Sequence, residues 1–185
     1  LLLSTGSQNT GVGFNVLADN TTGQYLTAIG SRALKANTTA DSNTAVGTDA
    51  LLSNTTGTRN TAVGSLSADA NTTGNYNTAL GYNSLSANTT ASYNTALGDT
   101  ALAANTTGAH NTAIGQGANQ TNTTASNNTS VGSAALNQNS TGASNTAVGK
   151  SALSANTTAS NNTAVGFEAL GANTTGHSNV AVGSI

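Results

Sequence analysis

The chain has 185 residues and a formal net charge of −2, with only 5% of its residues charged and 3% aromatic. A globular domain is typically about one quarter charged, so this composition argues against an ordinary soluble domain. The small net charge gives no electrostatic basis for binding nucleic acid or an anionic membrane. The absence of cysteine excludes disulfides and thiolate metal sites. No apolar run approaches the roughly 20 residues that cross a bilayer, so we expect no membrane insertion.

One motif, Asn-Thr-Ala-Val-Gly, recurs along the chain at intervals of 17 residues, without insertion or deletion. The consensus is N-T-A-V-G-x-x-A-L-x-A-N-T-T-G/A-x-x, and we number its columns 1 to 17 from the first Asn. Ten full copies occupy residues 9–178, with partial copies at both ends. We therefore predict a single repeat array over residues 1–185. Because the chain does not begin with Met, we expect it to be a segment of a longer protein.

The first predicted element of each repeat is a short strand over columns 2 to 4. Strand residues alternate between faces, so the column 2 Thr and the column 4 aliphatic share one face, and the column 3 Ala takes the other. We predict that the aliphatic is buried and that the Ala row faces neighbouring chains. The column 5 glycine is expected to form a corner with positive φ. These turn glycines are Gly13, Gly30, Gly47, Gly64, Gly81, Gly98, Gly115, Gly132, Gly149, Gly166 and Gly183.

A second extended segment is predicted within columns 8 to 14, which usually carry Leu at column 9 and always Asn at column 12. The column 12 Asn lies in an Asn-x-Thr sequon for N-glycosylation. The alternative, which we favour, is a ladder of stacked amides that bond to the turns above and below. The residues concerned are Asn20, Asn37, Asn54, Asn71, Asn88, Asn105, Asn122, Asn139, Asn156 and Asn173.

The remaining columns, 6, 7, 10, 11 and 15 to 17, are variable and hold every charged residue, both histidines and every aromatic residue. Columns that tolerate such variety are expected to face water. Exposed aromatic rings can bind sugars or anchor a partner, although they more often cover the edge of a turn. The candidates for surface binding are Tyr25, Tyr76 and Tyr93 in column 17, and Phe14, Tyr82 and Phe167 in column 6.

A unit of 17 residues is too short for a pair of helices, and its Gly and Thr content disfavours helix. Stacked turns rising about 4.8 Å each predict an all-β parallel β-solenoid, a rod about 50 Å long. Two buried aliphatic side chains per turn contribute roughly 1.5–3 kcal/mol each. Ordering each residue costs on the order of 1–2 kcal/mol. Backbone ladders and contacts with neighbouring chains must supply the difference, so we expect an oligomer, most simply a homotrimer.

The Asn-Thr-Ala-Val-Gly repeats resemble the S-V-A-I-G-like repeats of trimeric autotransporter adhesin heads. The 17-residue form is similar to repeats in bacterial surface proteins and in phage-type tail fibres. Thr44–Gly47 and Thr146–Gly149 are the best matches. The resemblance implies a left-handed β-roll assembled as a homotrimer, located outside the cell on a cell or virion surface, with a host glycan or protein as partner. The adhesin-head repeat is shorter, so each turn here has an extra excursion.

Catalysis has few suitable groups in this chain. The carboxylates are scattered among several columns, and His110 and His177 lie in different columns about four turns apart. No acid–base pair or nucleophile–base arrangement can be proposed. The calcium-binding motif G-G-x-G-x-D is also absent. We therefore expect no enzyme activity, no cofactor and no metal site.

The sequence predicts a structural or fibrous surface protein, a segment of an adhesin head or tail fibre that extends or presents a binding surface. Two alternatives remain open. The Thr rows of columns 13 and 14 suggest an ice-binding β-solenoid, which would need a flat, regular array of Thr on one exposed face. The lack of polar capping repeats suggests a self-assembling extracellular filament.

Overall fold

The computed structural model describes residues 5–184, and within this range every element is a strand of three residues. Successive strands begin 17 residues apart. The strands are Thr10–Val12 (β1), Thr27–Ile29 (β2), Thr44–Val46 (β3), Thr61–Val63 (β4), Thr78–Leu80 (β5), Thr95–Leu97 (β6), Thr112–Ile114 (β7), Thr129–Val131 (β8), Thr146–Val148 (β9), Thr163–Val165 (β10) and Val180–Val182 (β11).

All eleven strands form one parallel sheet in which the spatial order is the chain order. Each strand pairs with the strands one repeat before and one repeat after it, in perfect column register. In β3 and β4, for example, Ala45 lies opposite Ala62. The chain is therefore a parallel β-solenoid of about ten turns, as the 17-residue period predicted. At the spacing of paired strands the rod is about 50 Å long.

The rest of each turn is bent rather than extended. The second extended segment predicted within columns 8 to 14 is not a strand in any turn of residues 5–184, so that prediction is wrong. Columns 7, 9 and 17 have positive φ, as at Asp49 (61°), Leu51 (50°) and Arg59 (57°), and Gly47 in column 5 has a φ of 136°. These four residues with positive φ in each turn bend the backbone back to the start of the next turn. Inter-turn backbone hydrogen bonds nevertheless continue through this half, as from Leu51 N–H to the Ser67 carbonyl at 3.0 Å.

The interior of the coil is filled by columns 3, 8 and 9. The column 3 Ala45, the column 8 Ala50 and the column 9 Leu51 all have 0% exposure. A Cβ built on Gly11, in column 3, would lie 2.8 Å from the Val16 side chain, so column 3 faces column 8 within one turn. The prediction that the Ala row faces neighbouring chains is therefore wrong. One Leu and two small residues fill the cross-section, which leaves no room for the column 4 aliphatic.

Two ladders of buried asparagine, in columns 12 and 1, flank the column 15 carbonyl in most turns. In column 12, the Asn37 amide donates to the column 12 Asn of the preceding turn at 2.9 Å and to the Ala40 carbonyl at 3.2 Å. In column 1, the Asn43 amide donates to the Gly57 carbonyl at 2.7 Å, and its oxygen accepts the Asn60 backbone N–H at 2.8 Å. Such buried hydrogen bonds contribute roughly 1 kcal/mol each, so the amides supplement a thin apolar core.

Candidate functional site

The outward side chains of the sheet form a continuous surface along the rod. We define the outer face as the column 2 and column 4 side chains of β1 to β11. In β3 the flanking Thr44 and Val46 are half-buried while Ala45 between them is fully buried, and β2 to β10 all repeat this alternation. Columns 2 and 4 share a face, as the sequence predicted, but that face is outside the coil.

The outer face is aliphatic and carries no charge. Column 4 is Val, Ile or Leu in every turn, and column 2 is Thr in β1 to β10 and Val in β11. Ile29, Leu80 and Leu97 are 40%, 41% and 38% exposed, respectively. A contiguous apolar stripe along a rod typically marks an interaction surface. Sequence reasoning missed this surface because the aliphatic column was assigned to the core.

The column 12 asparagines are unsuited to glycosylation in the folded coil. From Asn37 to Asn156 they have 0% exposure, and each amide nitrogen already donates to the turn before and to the column 15 carbonyl. An attached sugar would break the ladder. The sequence also contains two Asn-Asn-Thr sequons whose first residues, Asn127 and Asn161, lie exposed in column 17. They were missed, although the column register would have placed them on the surface.

Column 17 brings several predicted surface residues together. The rings of Tyr76 and Tyr93 stack with centroids 5.0 Å apart and planes 4° from parallel, and Tyr93 stacks on His110 at 4.9 Å and 6°. The Arg59 guanidinium lies over the Tyr76 ring at 5.2 Å and also donates to the Tyr76 hydroxyl. We call these four side chains the column 17 ladder. Arg59 and His110 were not among the predicted binding residues, although their column indicated them. Tyr25 lies two turns from Arg59.

The column 6 aromatics do not form a common site. Phe14, Tyr82 and Phe167 are exposed by 71%, 57% and 44%, and they lie on turns that are far apart along the rod. The Lys150 amine lies 5.9 Å from the Phe167 ring centre. These residues are isolated surface rings, so they offer no multivalent surface.

The Thr rows of columns 13 and 14 do not form one flat array. Column 13 hydroxyls donate along the rod, as from Thr38 to the Thr55 carbonyl at 3.1 Å and from Thr72 to the Thr89 carbonyl at 2.9 Å. Those hydroxyls already donate hydrogen bonds within the coil. The column 14 threonines are exposed in every turn, and the column 2 threonines form a second, partly exposed row on the outer face.

One charged cluster lies in the early turns. The Asp49 side chain pairs with Arg32 at 2.5 Å and is nearly buried, with 6% of the residue exposed. Burial raises the pKa of the Asp69 carboxyl above its ordinary value, and the negative charge of Asp49 adds to this shift, while hydrogen bonds from backbone N–H groups oppose it. Ionised Asp69 is therefore more costly in the folded coil than in the unfolded chain.

We expect Asp69→Asn to be more stable than the wild type at neutral pH. Because the folded pKa is raised, the folded state binds the proton more tightly, so the wild type loses stability as pH rises through the window between the unfolded and folded pKa values. Denaturant midpoints measured across pH should show a gain at neutral pH that vanishes in acid. Asp99→Asn, at an exposed position, serves as the control and should show no gain. An equal gain for Asp69→Asn at every pH would contradict this explanation.

No group of three or more metal-ligating side chains occurs among residues 5–184. The described part of the chain also holds no helix long and apolar enough to cross a membrane. Comparisons with protein-family models, with characterised proteins and with solved structures give no match to this chain.

Proposed function

We propose that the chain is a structural rod of a surface-exposed fibre, which associates side by side with copies of itself and extends or presents a binding element. The observation that carries this proposal is the outer face. It is an aliphatic and threonine surface without charge that runs the length of the rod. The coil fills its own interior without these residues. Because an aliphatic side chain nevertheless occupies column 4 in every turn, we assign it a role outside the coil.

The proposed assembly is a homotrimer of left-handed coils on a cell or virion surface. The outer face supports lateral association, while the number three, the winding sense and the location come from the resemblance to adhesin heads and tail fibres. Lateral packing would cover the half-exposed aliphatics at roughly 25 cal/mol for each Å² removed from water. This gain would supplement a core that has one column 9 Leu in most turns and none in two of them. A binding partner such as a host glycan or protein would then contact the variable columns or the adjoining parts of the fibre.

Cysteine crosslinking tests the contact surface, because the chain has no native Cys. Leu97→Cys places a thiol on the outer face, and Thr107→Cys places one in the exposed column 14. A short bismaleimide added to dilute protein is expected to link Leu97→Cys chains covalently and to leave Thr107→Cys chains unlinked. Both proteins should give the circular dichroism of the wild type. Equal crosslinking of the two variants would contradict an interface at the outer face.

Ice binding is a second candidate, favoured by one observation. The column 2 Thr residues form a regular row along the outer face, beside a row of aliphatics, at the spacing of paired strands. Thermal hysteresis of the purified rod, compared with that of Thr95→Lys, would decide between the candidates. Hysteresis that is lost in Thr95→Lys supports ice binding, whereas its absence from the wild type removes this function.

A further inference from the structure

The column 17 ladder is interrupted one turn before it begins. Its rungs run from Arg59 to His110 without a break, with ring centres 4.9 to 5.0 Å apart where two rings stack. The preceding column 17 residue is Ser42, whose side chain is too short to form a rung. The column 17 residue before that is Tyr25, which is 58% exposed. Two planar groups, the Tyr25 ring and the Arg59 guanidinium, are therefore separated by one rung without a ring.

The backbone at this interruption is regular. Ser42 N–H donates to the Gln24 carbonyl at 2.9 Å, and Arg59 N–H donates to the Asp41 carbonyl at 3.2 Å. Ser42 has a φ of 62°, close to the 63° of Tyr93, which carries a stacked ring at the same column. The turn spacing is thus preserved, and only the side chain differs. The result is a cleft of about 310 Å³ lined by Tyr25, Asp41, Ser42, Thr58 and Arg59, which we call the Ser42 gap.

The dimensions of the Ser42 gap suit one planar ring. Two rungs of the ladder measure about 10 Å, twice the Tyr76–Tyr93 spacing of 5.0 Å. Because paired strands lie about 4.8 Å apart, the Ser42 position lies about 5 Å along the rod from those of Tyr25 and Arg59, which is the usual spacing of stacked aromatic groups. A cleft of this volume is at the small end of ligand pockets, which restricts the occupant to a single ring system.

We propose that the Ser42 gap binds a single electron-rich aromatic ring that bears a hydrogen-bond donor, a phenol or an indole, which completes the column 17 ladder. The Arg59 guanidinium prefers an electron-rich ring face, and its opposite side is already covered by Tyr76. Tyr25 supplies the second stacking surface. The ring would sit between them as Tyr93 sits between Tyr76 and His110.

Asp41 selects for the donor group. One of its carboxylate oxygens accepts the Gln24 backbone N–H at 2.7 Å, which fixes the side chain at the gap. An ionised carboxylate accepts several hydrogen bonds, so it can also take one from a phenol O–H or an indole N–H. Its charge opposes anionic rings. The same ring chemistry could come from a free small molecule or from a Tyr or Trp side chain of a partner protein.

Indole is a suitable probe because the chain contains no Trp, so changes in indole fluorescence on binding are not mixed with Trp emission from the protein. We expect one site per chain, with a dissociation constant in the millimolar range, since one stacked ring contributes only a few kcal/mol. Ser42→Tyr fills the gap with a residue that column 17 already holds at positive φ, and it should reduce indole affinity at least tenfold. Tyr25→Ser removes one of the two stacking surfaces and should also reduce indole affinity at least tenfold.

Two further variants complete the test. Ser144→Tyr adds a ring to column 17 beside Asn127 and Asn161, away from the Ser42 gap, and should leave indole binding unchanged. Tyr93→Ser opens a second two-rung gap between Tyr76 and His110 and should raise the stoichiometry to two. That second site has Ser92 in place of Asp41, so it should bind indole more weakly than the first does.

Unchanged indole binding in Ser42→Tyr would overturn the proposal, and so would unchanged binding in Tyr25→Ser. A Trp-containing pentapeptide titrated in parallel distinguishes a free small molecule from the side chain of a partner protein as the natural ligand. Binding no tighter than indole supports a free ring as ligand, and tighter binding supports a partner segment. All residues of the gap belong to one chain. The titrations therefore do not depend on the proposed trimer, whose state is measured separately by sedimentation.

Discussion

Gly81→Ala should destabilise the coil by about 3 kcal/mol or more. Gly81 has a φ of 132°, which residues with a Cβ rarely adopt, and an added Cβ would lie 2.5 Å from the Gly98 carbonyl oxygen and 2.6 Å from its carbon. Those atoms belong to the backbone of the next turn. They can move only if the turns separate. The cost of this steric clash therefore adds to the cost of placing a Cβ at that φ. Urea denaturation followed by circular dichroism measures the loss.

Gly117→Ala is the matched control for this substitution. Gly117 also has positive φ, at 64°, but an added Cβ would meet nothing nearer than 3.4 Å. The next turn carries Ala134 in the same column with a φ of 55°. We therefore expect a cost of only about 1 kcal/mol, from the left-handed conformation alone. Equal costs for Gly81→Ala and Gly117→Ala would show that turn-to-turn contact does not restrict column 5 to glycine.

Asn119→Leu should stabilise the coil by about 2–4 kcal/mol. Asn119 occupies column 9, where most turns have Leu, and it is fully buried between Leu102 and Leu136. Neither polar atom of its side chain has a hydrogen-bond partner among the residues that the structure describes. The buried apolar core is divided at this turn, ending at Ala118 and resuming at Ala135. Leu would rejoin the two parts and remove an unpaired amide.

Leu34→Asn is the reverse experiment. Leu34 is fully buried in the same column, between Leu17 and Leu51, so Asn there would have no neighbouring column 9 amide with which to pair. We expect a loss of about 3–5 kcal/mol. Both variants can be measured by the same urea titration. If Asn119→Leu were neutral or destabilising, the unpaired amide would not be a defect of the core.

The sequence predicted the period, the strand over columns 2 to 4 and the corner glycines because each depends on local chemistry. Thr-Ala-Val favours a strand, and a glycine that recurs at one column indicates a conformation closed to other residues. Strand alternation also predicted that Thr44 and Val46 share a face. The choice of which face lies inside was wrong. That choice rested on hydrophobicity alone. The width of the coil determines which side chains fit inside it, and Leu51 already fills the space opposite Ala45.

The candidate site was predictable in part. Column register alone placed Tyr76 and Tyr93 one above the other, and it would have added Arg59 and His110. Their stacking depends on the side-chain direction at positive φ in column 17, a conformation that no pattern in the sequence indicates for Tyr. The Ser42 gap was therefore not foreseen, because a gap has meaning only once the neighbouring rings are known to stack.

Sedimentation equilibrium of the purified chain tests the central claim most directly, that the outer face joins copies of this rod. Each chain has a mass of 17.9 kDa. We predict a single species of three times that mass, which dissociates or unfolds when Leu80 and Leu97 on the outer face are both replaced by Lys. An open series of larger masses would indicate a filament instead of a trimer. A stable, folded monomer of 17.9 kDa would contradict the claim.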